Sequence, residues 1–240
     1  MTNIRKSEER GSVNLGWLQS KHSFSFGSYY DPAHMGLSAL RVINDDHVVG
    51  GAGFDTHSHA DMEIISYVLE GALKHEDSMG NQFIVPAGEV QRMSAGTGIT
   101  HSEYNASSDQ AVKFLQIWIQ PAQRGLTPGY EQARIPQAGA LTPLVTPDGN
   151  NRSLRMNQDA SIYRLQLGKG EGYRPDTTQR PAYLHVIEGD LKLDLGGDSH
   201  QLRAGDAISF SAYSQGISLK AESSAVSALW FDLPLVPTSE

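Results

Sequence analysis

His57-Ser58-His59 and His101-Ser102-Glu103 each place two metal-ligating side chains two residues apart. In an extended strand, alternate residues share a face and two residues advance the chain by about 6.5–7 Å. The two imidazoles of the first pair can therefore converge on a point about 2 Å from each ring nitrogen, the bond length of a first-row metal. Asp61 and Glu63 extend the same odd-numbered series, so either Glu63 or Glu103 could supply the carboxylate on this reading. Gly96 and Gly98 precede the second pair and allow a sharp backbone turn there. The chain contains no cysteine, which removes disulfides, thiolate sites and cysteine nucleophiles and leaves imidazole and carboxylate as the metal donors.

The elements around these pairs read as strands. Short runs rich in β-branched and aromatic residues, such as Met62–Leu69, Val112–Ile119, Ser161–Leu167, Tyr183–Ile187 and Ala207–Phe210, alternate with turn signals. That pattern predicts an all-β sandwich or barrel. One helix is expected near Gly129–Arg134. An internal repeat accompanies the strands. Tyr67–Gly71 (YVLEG) followed by Pro86-Ala87-Gly88-Glu89 is echoed by His185–Asp190 (HVIEGD) followed by Arg203-Ala204-Gly205-Asp206. The two glycines of each copy are 17 and 16 residues apart, which implies two similar β units in tandem. Residues Pro121–Asn151, rich in Pro, Gly, Gln and Thr, read as a connector containing one strand, Leu141–Val145. The ligand pairs occur in the first unit alone, so that unit is expected to carry a site and the second to act as scaffold.

At 240 residues, 39% hydrophobic and 19% charged, the chain has ordinary globular composition. A formal net charge of −8 and scattered basic residues argue against direct nucleic-acid binding. No apolar run reaches the roughly 18 residues of a membrane-spanning helix, and no apolar region follows the N-terminal MTNIRKSEERGS, so a cytoplasmic location is expected.

Gly51, His57-x-His59-x-x-x-Glu63 and Gly71 resemble the first cupin motif; Gly80, Pro86-x-Gly88 and His101-x-x-x-Asn105 resemble the second. Gly71 falls one residue later than the common pattern, and the insert Glu89–Thr100 delays the last histidine. The long second motif, Met93–Asn105, is similar to that of the pirin family of bicupins. So are His22–Phe26 (HSFSF), Tyr29–Pro32 (YYDP) and Leu40–Asp46 (LRVINDD). The resemblance is dense over Gly16–Pro121 and thin beyond it, and it points to short bacterial pirin-like proteins. It implies two tandem cupin barrels, each a jelly-roll-like double-stranded β-helix: residues 1–131 forming a metal-binding N-terminal barrel and residues 132–240 a degenerate C-terminal barrel without metal. It implies the ligand set His57, His59, His101 and Glu103, with Glu63 and Asp61 outside it, orienting imidazoles. It also implies one divalent ion per chain, iron(II) first; the donor set alone equally suits Ni, Cu, Mn or Zn.

The activity implied is that of a quercetin 2,3-dioxygenase. A flavonol or similar aromatic enol and dioxygen would be the substrates, with Glu103 as the catalytic base. The alternative implied by the family is a redox-sensitive regulatory protein whose ion governs docking of a protein partner. Among the remaining residues, His22, Phe24 and Phe26 are expected in strand core and Trp118 and Ile119 in barrel lining. Tyr29 and Tyr30 are expected at the core or the cavity rim, His75 in a solvated hairpin, and Arg41 and Gln116 are candidates for the pocket.

Overall fold

The computed structural model describes residues 2–176, 178–211 and 216–235. Its strands run as follows in the first half: β1 (Thr2–Arg5), β2 (Gly11–Asn14), β3 (Leu18–His22), β4 (Leu40–Val48), β5 (Gly53–His59), β6 (Glu63–Glu70), β7 (Ala72–Asp77), β8 (Gln82–Pro86), β9 (Glu89–Ser94), β10 (Ile99–Asn105), β11 (Val112–Ile119) and β12 (Gly129–Arg134). The second half contributes β13 (Leu141–Thr146), β14 (Leu154–Arg155), β15 (Ser161–Leu167), β16 (Gly172–Tyr173), β17 (Ala182–Glu188), β18 (Leu191–Leu195), β19 (Asp198–Leu202), β20 (Ala207–Phe210), β21 (Ile217–Ala221) and β22 (Val226–Asp232). The five strand runs named from sequence reappear with ends shifted by at most one residue, as does the connector strand. Gly129–Arg134 is not a helix. It pairs antiparallel along the whole of β9, so an available sheet edge decided its conformation over local propensity.

In each half a seven-stranded sheet faces a four-stranded one. The N-terminal barrel has the orders β12-β9-β6-β11-β4-β3-β2 and β5-β10-β7-β8; the C-terminal barrel has β1-β20-β17-β22-β15-β13-β14 and β16-β21-β18-β19. The first strand of the chain thus completes the sheet of the second barrel, pairing with β20 in full register. The repeat has a backbone cause. Gly71, Gly88, Gly189 and Gly205 all adopt left-handed φ between 72° and 84°. A Cβ on Gly71 would lie 2.7 Å from the carbonyl oxygen of Ala111, and one on Gly189 would lie 2.2 Å from that of Ala225. In both copies the turn glycine lets the hairpin pass against the residue leading into the central strand, β11 or β22.

The two large sheets are buried on both faces. Leu115, Ile117 and Ile119 of β11 point away from their own barrel into a shared core with Tyr183, Leu229 and Phe231 of the other. Val112 and Phe114, at the alternate positions, point into the N-terminal barrel with Leu18, Val48, Val68, Leu73 and Val85. Strands covered on both sides read as continuous apolar runs, which is why VKFLQIWI shows no polar alternation. The exceptions are Lys113, which pairs with Glu70 where the strand is exposed, and Gln116, whose side chain faces the barrel interior and belongs to the site.

Candidate metal centre

The small sheet β5-β10-β7-β8 carries the ligating residues, and its register brings them together. His101 lies opposite His57, Ile99 opposite His59, and Glu103 opposite His75 across β7. Alternation along β10 puts His101 and Glu103 on one face, and the register shift between them in the pairing with β5 is taken up by an extra residue of β5. His57, His59 and His101 each offer a ligand atom within 4.8 Å of the other two. His75, His101 and Glu103 form a second such group, so His101 is common to both.

The imidazoles are set up as metal donors. The Nδ1–H of His57 donates to the Asp55 carbonyl oxygen at 2.7 Å; because a carbonyl only accepts, this fixes the tautomer and leaves the Nε2 lone pair pointing inward. That Nε2 stands 3.1 Å from Nε2 of His101. Two nitrogens each about 2.1 Å from one ion are separated by about 3.0 Å at a right angle and about 3.4 Å at the tetrahedral angle, so the observed spacing fits a shared cation. Burial, with the neighbouring His101 and His57 adding to it, pushes His59 down to about 4. Burial and the neighbouring His57 and His75 push His101 down to about 3. Both rings are therefore neutral at physiological pH, the state in which an imidazole can ligate.

Glu103 is buried and held by the opposite sheet. Its Oε1 accepts from Ser66 Oγ (2.9 Å) and Gln91 Nε2 (2.7 Å), and its Oε2 from Gln116 Nε2 (2.6 Å). A carboxylate offers about four lone-pair positions. Three are filled, leaving one for an ion or a proton. The three donors lie in one row across the large sheet, because Gln116 is opposite Ser66 and Ser66 opposite Gln91.

Glu63 does not join this cluster, and neither it nor Asp61 orients an imidazole. β5 ends at His59, and Asp61 takes a left-handed φ of 51°, so the odd-numbered face of β5 does not continue into β6. Glu63 instead accepts from Ser94 Oγ at 2.8 Å and from the Asn157 side-chain amide at 3.1 Å, tying the barrels together. Asp61 accepts from the Gly125 backbone N–H.

His75 is the residue that sequence reasoning placed wrongly. It is fully buried, and its Nε2 is 3.0 Å from Asp77 Oδ2. Burial works to raise Asp77, but hydrogen bonds from Asn81, His75 and Met79 outweigh it and hold the carboxyl below its usual range. The tilted ring of Tyr130 packs on His75 with centroids 4.6 Å apart. Leu73-x-His75-x-Asp77 alternates with Lys74 and Glu76, which pair with each other on the outer face; that alternation was the available signal.

A cavity of about 70 Å³ opens beside the cluster, lined by His57, His59 and Glu103 together with Leu18, Phe26, Phe54 and Trp118. Trp118 meets His59 edge-on at 5.0 Å and Phe26 edge-on at 5.2 Å. Phe26 and His22 thus line the cavity, whereas Phe24 packs in the inter-barrel core as expected, though in a bend beyond the end of β3 and not in a strand. Gln116 reaches the cavity; Arg41 instead donates to Gln120 on the exterior. The Tyr29 hydroxyl accepts from Arg5, and Tyr30 is exposed.

Asp46 lies in the cavity wall, and burial pushes its carboxyl up to about 7. The folded protein thus retains a proton that the unfolded chain loses from about pH 4 upward. Stability is then greatest below that point, falls as pH rises, and levels off above about 7. In the metal-free protein Asp46→Asn is expected to remove this decline, gaining up to about 4 kcal/mol over wild type between pH 4 and pH 8. Urea unfolding at both pH values measures it; parallel curves for the two proteins would contradict the assignment.

A double barrel with one histidine-rich centre in its N-terminal half defines the chain as a bicupin. Residues 3–119 match the Pirin family and residues 143–233 the quercetinase C-terminal cupin domain. The chain is 47% identical over 237 residues to a quercetin 2,3-dioxygenase of Escherichia coli K12, covering 98% of this chain and 100% of the relative. It is 40% identical to a putative quercetin 2,3-dioxygenase of Pseudomonas aeruginosa, covering 81% and 85%. The crystal structure of bacterial pirin YhhW from Escherichia coli in complex with nickel(II) superposes with a TM-score of 0.92 at 46% identity, covering 98% and 100%. This chain belongs to the pirin family.

Among the described residues no helix is long and apolar enough to cross a membrane.

Proposed function

We propose that this chain is a mononuclear metal-dependent dioxygenase that opens the heterocyclic ring of a flavonol with loss of carbon monoxide, its ion held by His57, His59, His101 and Glu103 in the N-terminal barrel. What supports this reading is the grouping of His57, His59 and His101, with His101 also grouped with the triply hydrogen-bonded Glu103, beside a cavity that His57, His59 and Glu103 line together with Phe26, Phe54 and Trp118. The full-length relatives named quercetin 2,3-dioxygenase support the substrate, and the nickel(II) complex of the Escherichia coli protein supports a first-row divalent ion. Iron(II) is the ion we assign, following the family.

When bound, the ion supplies the Lewis acidity that acidifies the flavonol 3-hydroxyl and a redox-capable centre for dioxygen chemistry. Glu103 is the base for that hydroxyl. With three lone-pair positions filled by Ser66, Gln91 and Gln116, its remaining one would hold either the ion or the proton. Ser66, Gln91 and Gln116 keep the carboxylate aimed at the cavity in either case. Phe26, Phe54 and Trp118 exclude water around the reacting atoms. At about 70 Å³ the cavity takes the reacting edge of a flavonol, and the remaining rings lie at its mouth or displace Phe26. A cavity beside the cluster favours turnover over an ion that only governs a docking surface.

The test is dioxygen uptake and carbon monoxide release on quercetin by the iron(II)-loaded protein. Stoichiometric uptake and release are expected. Silence with iron(II) and with the other first-row ions would overturn the reading.

A further inference from the structure

The row of polar residues that holds Glu103 does not end with Gln116. Asn44 lies opposite Gln116 on β4, and His22 lies opposite Asn44 on β3, so the row runs His22-Asn44-Gln116-Ser66-Gln91 across five strands at one level of the barrel. Its last three members, Gln116, Ser66 and Gln91, are occupied by Glu103. Its first two are not. His22 and Asn44 are each more than nine-tenths buried and line the cavity, yet Nδ1 of His22 and Oδ1 of Asn44 have no hydrogen-bond partner. One pleat along, Ser20 lies opposite Asp46, and both also line the cavity.

Leaving buried polar atoms unpaired is costly, and the cost is offset when a ligand supplies the partner. This polar lining differs in kind from Leu18, at the far end of β3, and from Phe26 and Phe54. Burial and the nearby Arg10 depress His22, so its ring is neutral and carries one donor and one acceptor nitrogen. Asn44, paired with it across the strands, carries an unpartnered acceptor oxygen. A hydroxyl, which both donates and accepts, matches that pair.

We propose that His22 and Asn44, flanked by Asp46, form a hydroxyl-recognition subsite that selects substrates bearing a second hydroxyl beyond the one presented to the ion. The assignment rests on the cavity being the substrate site of the proposed reaction. It makes these residues specificity determinants, and it narrows the substrate class to polyhydroxylated aromatic enols.

The experiment compares quercetin with 3-hydroxyflavone, which keeps only the hydroxyl presented to the ion. Dissociation constants are read by tryptophan fluorescence quenching on metal-loaded wild type, Asn44→Leu and His22→Phe, the last retaining a ring against Phe26. Wild type is expected to prefer quercetin. Each variant is expected to weaken quercetin about tenfold, the worth of one hydrogen bond in a buried site, and to leave 3-hydroxyflavone within about twofold. Unchanged 3-hydroxyflavone binding also certifies the variants' fold. Equal weakening of both ligands, no change in either, or no binding of either to wild type would overturn the subsite. Turnover is recorded in parallel. Selective binding without turnover sinks the dioxygenase and spares the subsite; turnover with unselective binding does the reverse.

Discussion

Replacing His101 with alanine is expected to strip the protein of its ion and of flavonol turnover. His101 belongs to both groups of candidate ligands, and its Nε2 faces that of His57 at 3.1 Å. Loss of an outer partner of a metal ligand typically costs about 10–100-fold in affinity or activity, so loss of a ligand itself should exceed about 100-fold. His75→Ala provides the scale. On the proposed ligand set His75 acts through His101 and Glu103, so that variant should fall within the 10–100-fold range and retain its ion at saturating metal. Metal content after dialysis and turnover on quercetin are the readouts. A His101→Ala protein that keeps a full complement of ion would contradict the assignment.

The second large effect is expected at Glu103. Glu103→Gln removes the charge and turns an amide N–H₂ toward the amide donors of Gln91 and Gln116, which now hold a carboxylate at 2.7 and 2.6 Å. Removing a positioned general base costs about 10²–10⁴-fold, and kcat should fall by that amount even with metal supplied in excess. Glu63→Gln is the matched control. Glu63 bonds Ser94 and Asn157 rather than the cluster, so its replacement should loosen the barrel junction and leave kcat within a few-fold. If Glu63→Gln silences the enzyme while Glu103→Gln does not, the roles of the two carboxylates are reversed.

The contrast between these carboxylates marks where the sequence stops being readable. His57/His59 and His101/Glu103 are legible because each pair lies within one strand, where alternation alone fixes the shared face. Glu63 follows the same spacing on paper, yet the left-handed turn at Asp61 breaks the strand between it and His59. One turn residue undoes a face assignment, because the side-chain period is two. The donors to Glu103 come from β6, β9 and β11, and nothing in any one of those segments announces that Ser66, Gln91 and Gln116 share a level. Register across distant strands sets it. His75 misled because Lys74 and Glu76 are the outward residues of the same strand, and their charge coloured the whole hairpin. At the fold level, the tandem repeat was readable because four left-handed glycines enforce it locally. The pairing of β1 with the far barrel and of Gly129–Arg134 with β9 were not, since both depend on sheet edges formed by other parts of the chain.

The most direct test of the central claim is the ligand set of the bound ion, read by X-ray absorption and metal stoichiometry on wild type, His57→Ala and His75→Ala. One ion per chain is expected in wild type, with three imidazoles and one carboxylate, lost in His57→Ala and retained in His75→Ala. An ion that survives His57→Ala but is lost from His75→Ala would move the centre to His75, His101 and Glu103 and contradict that claim.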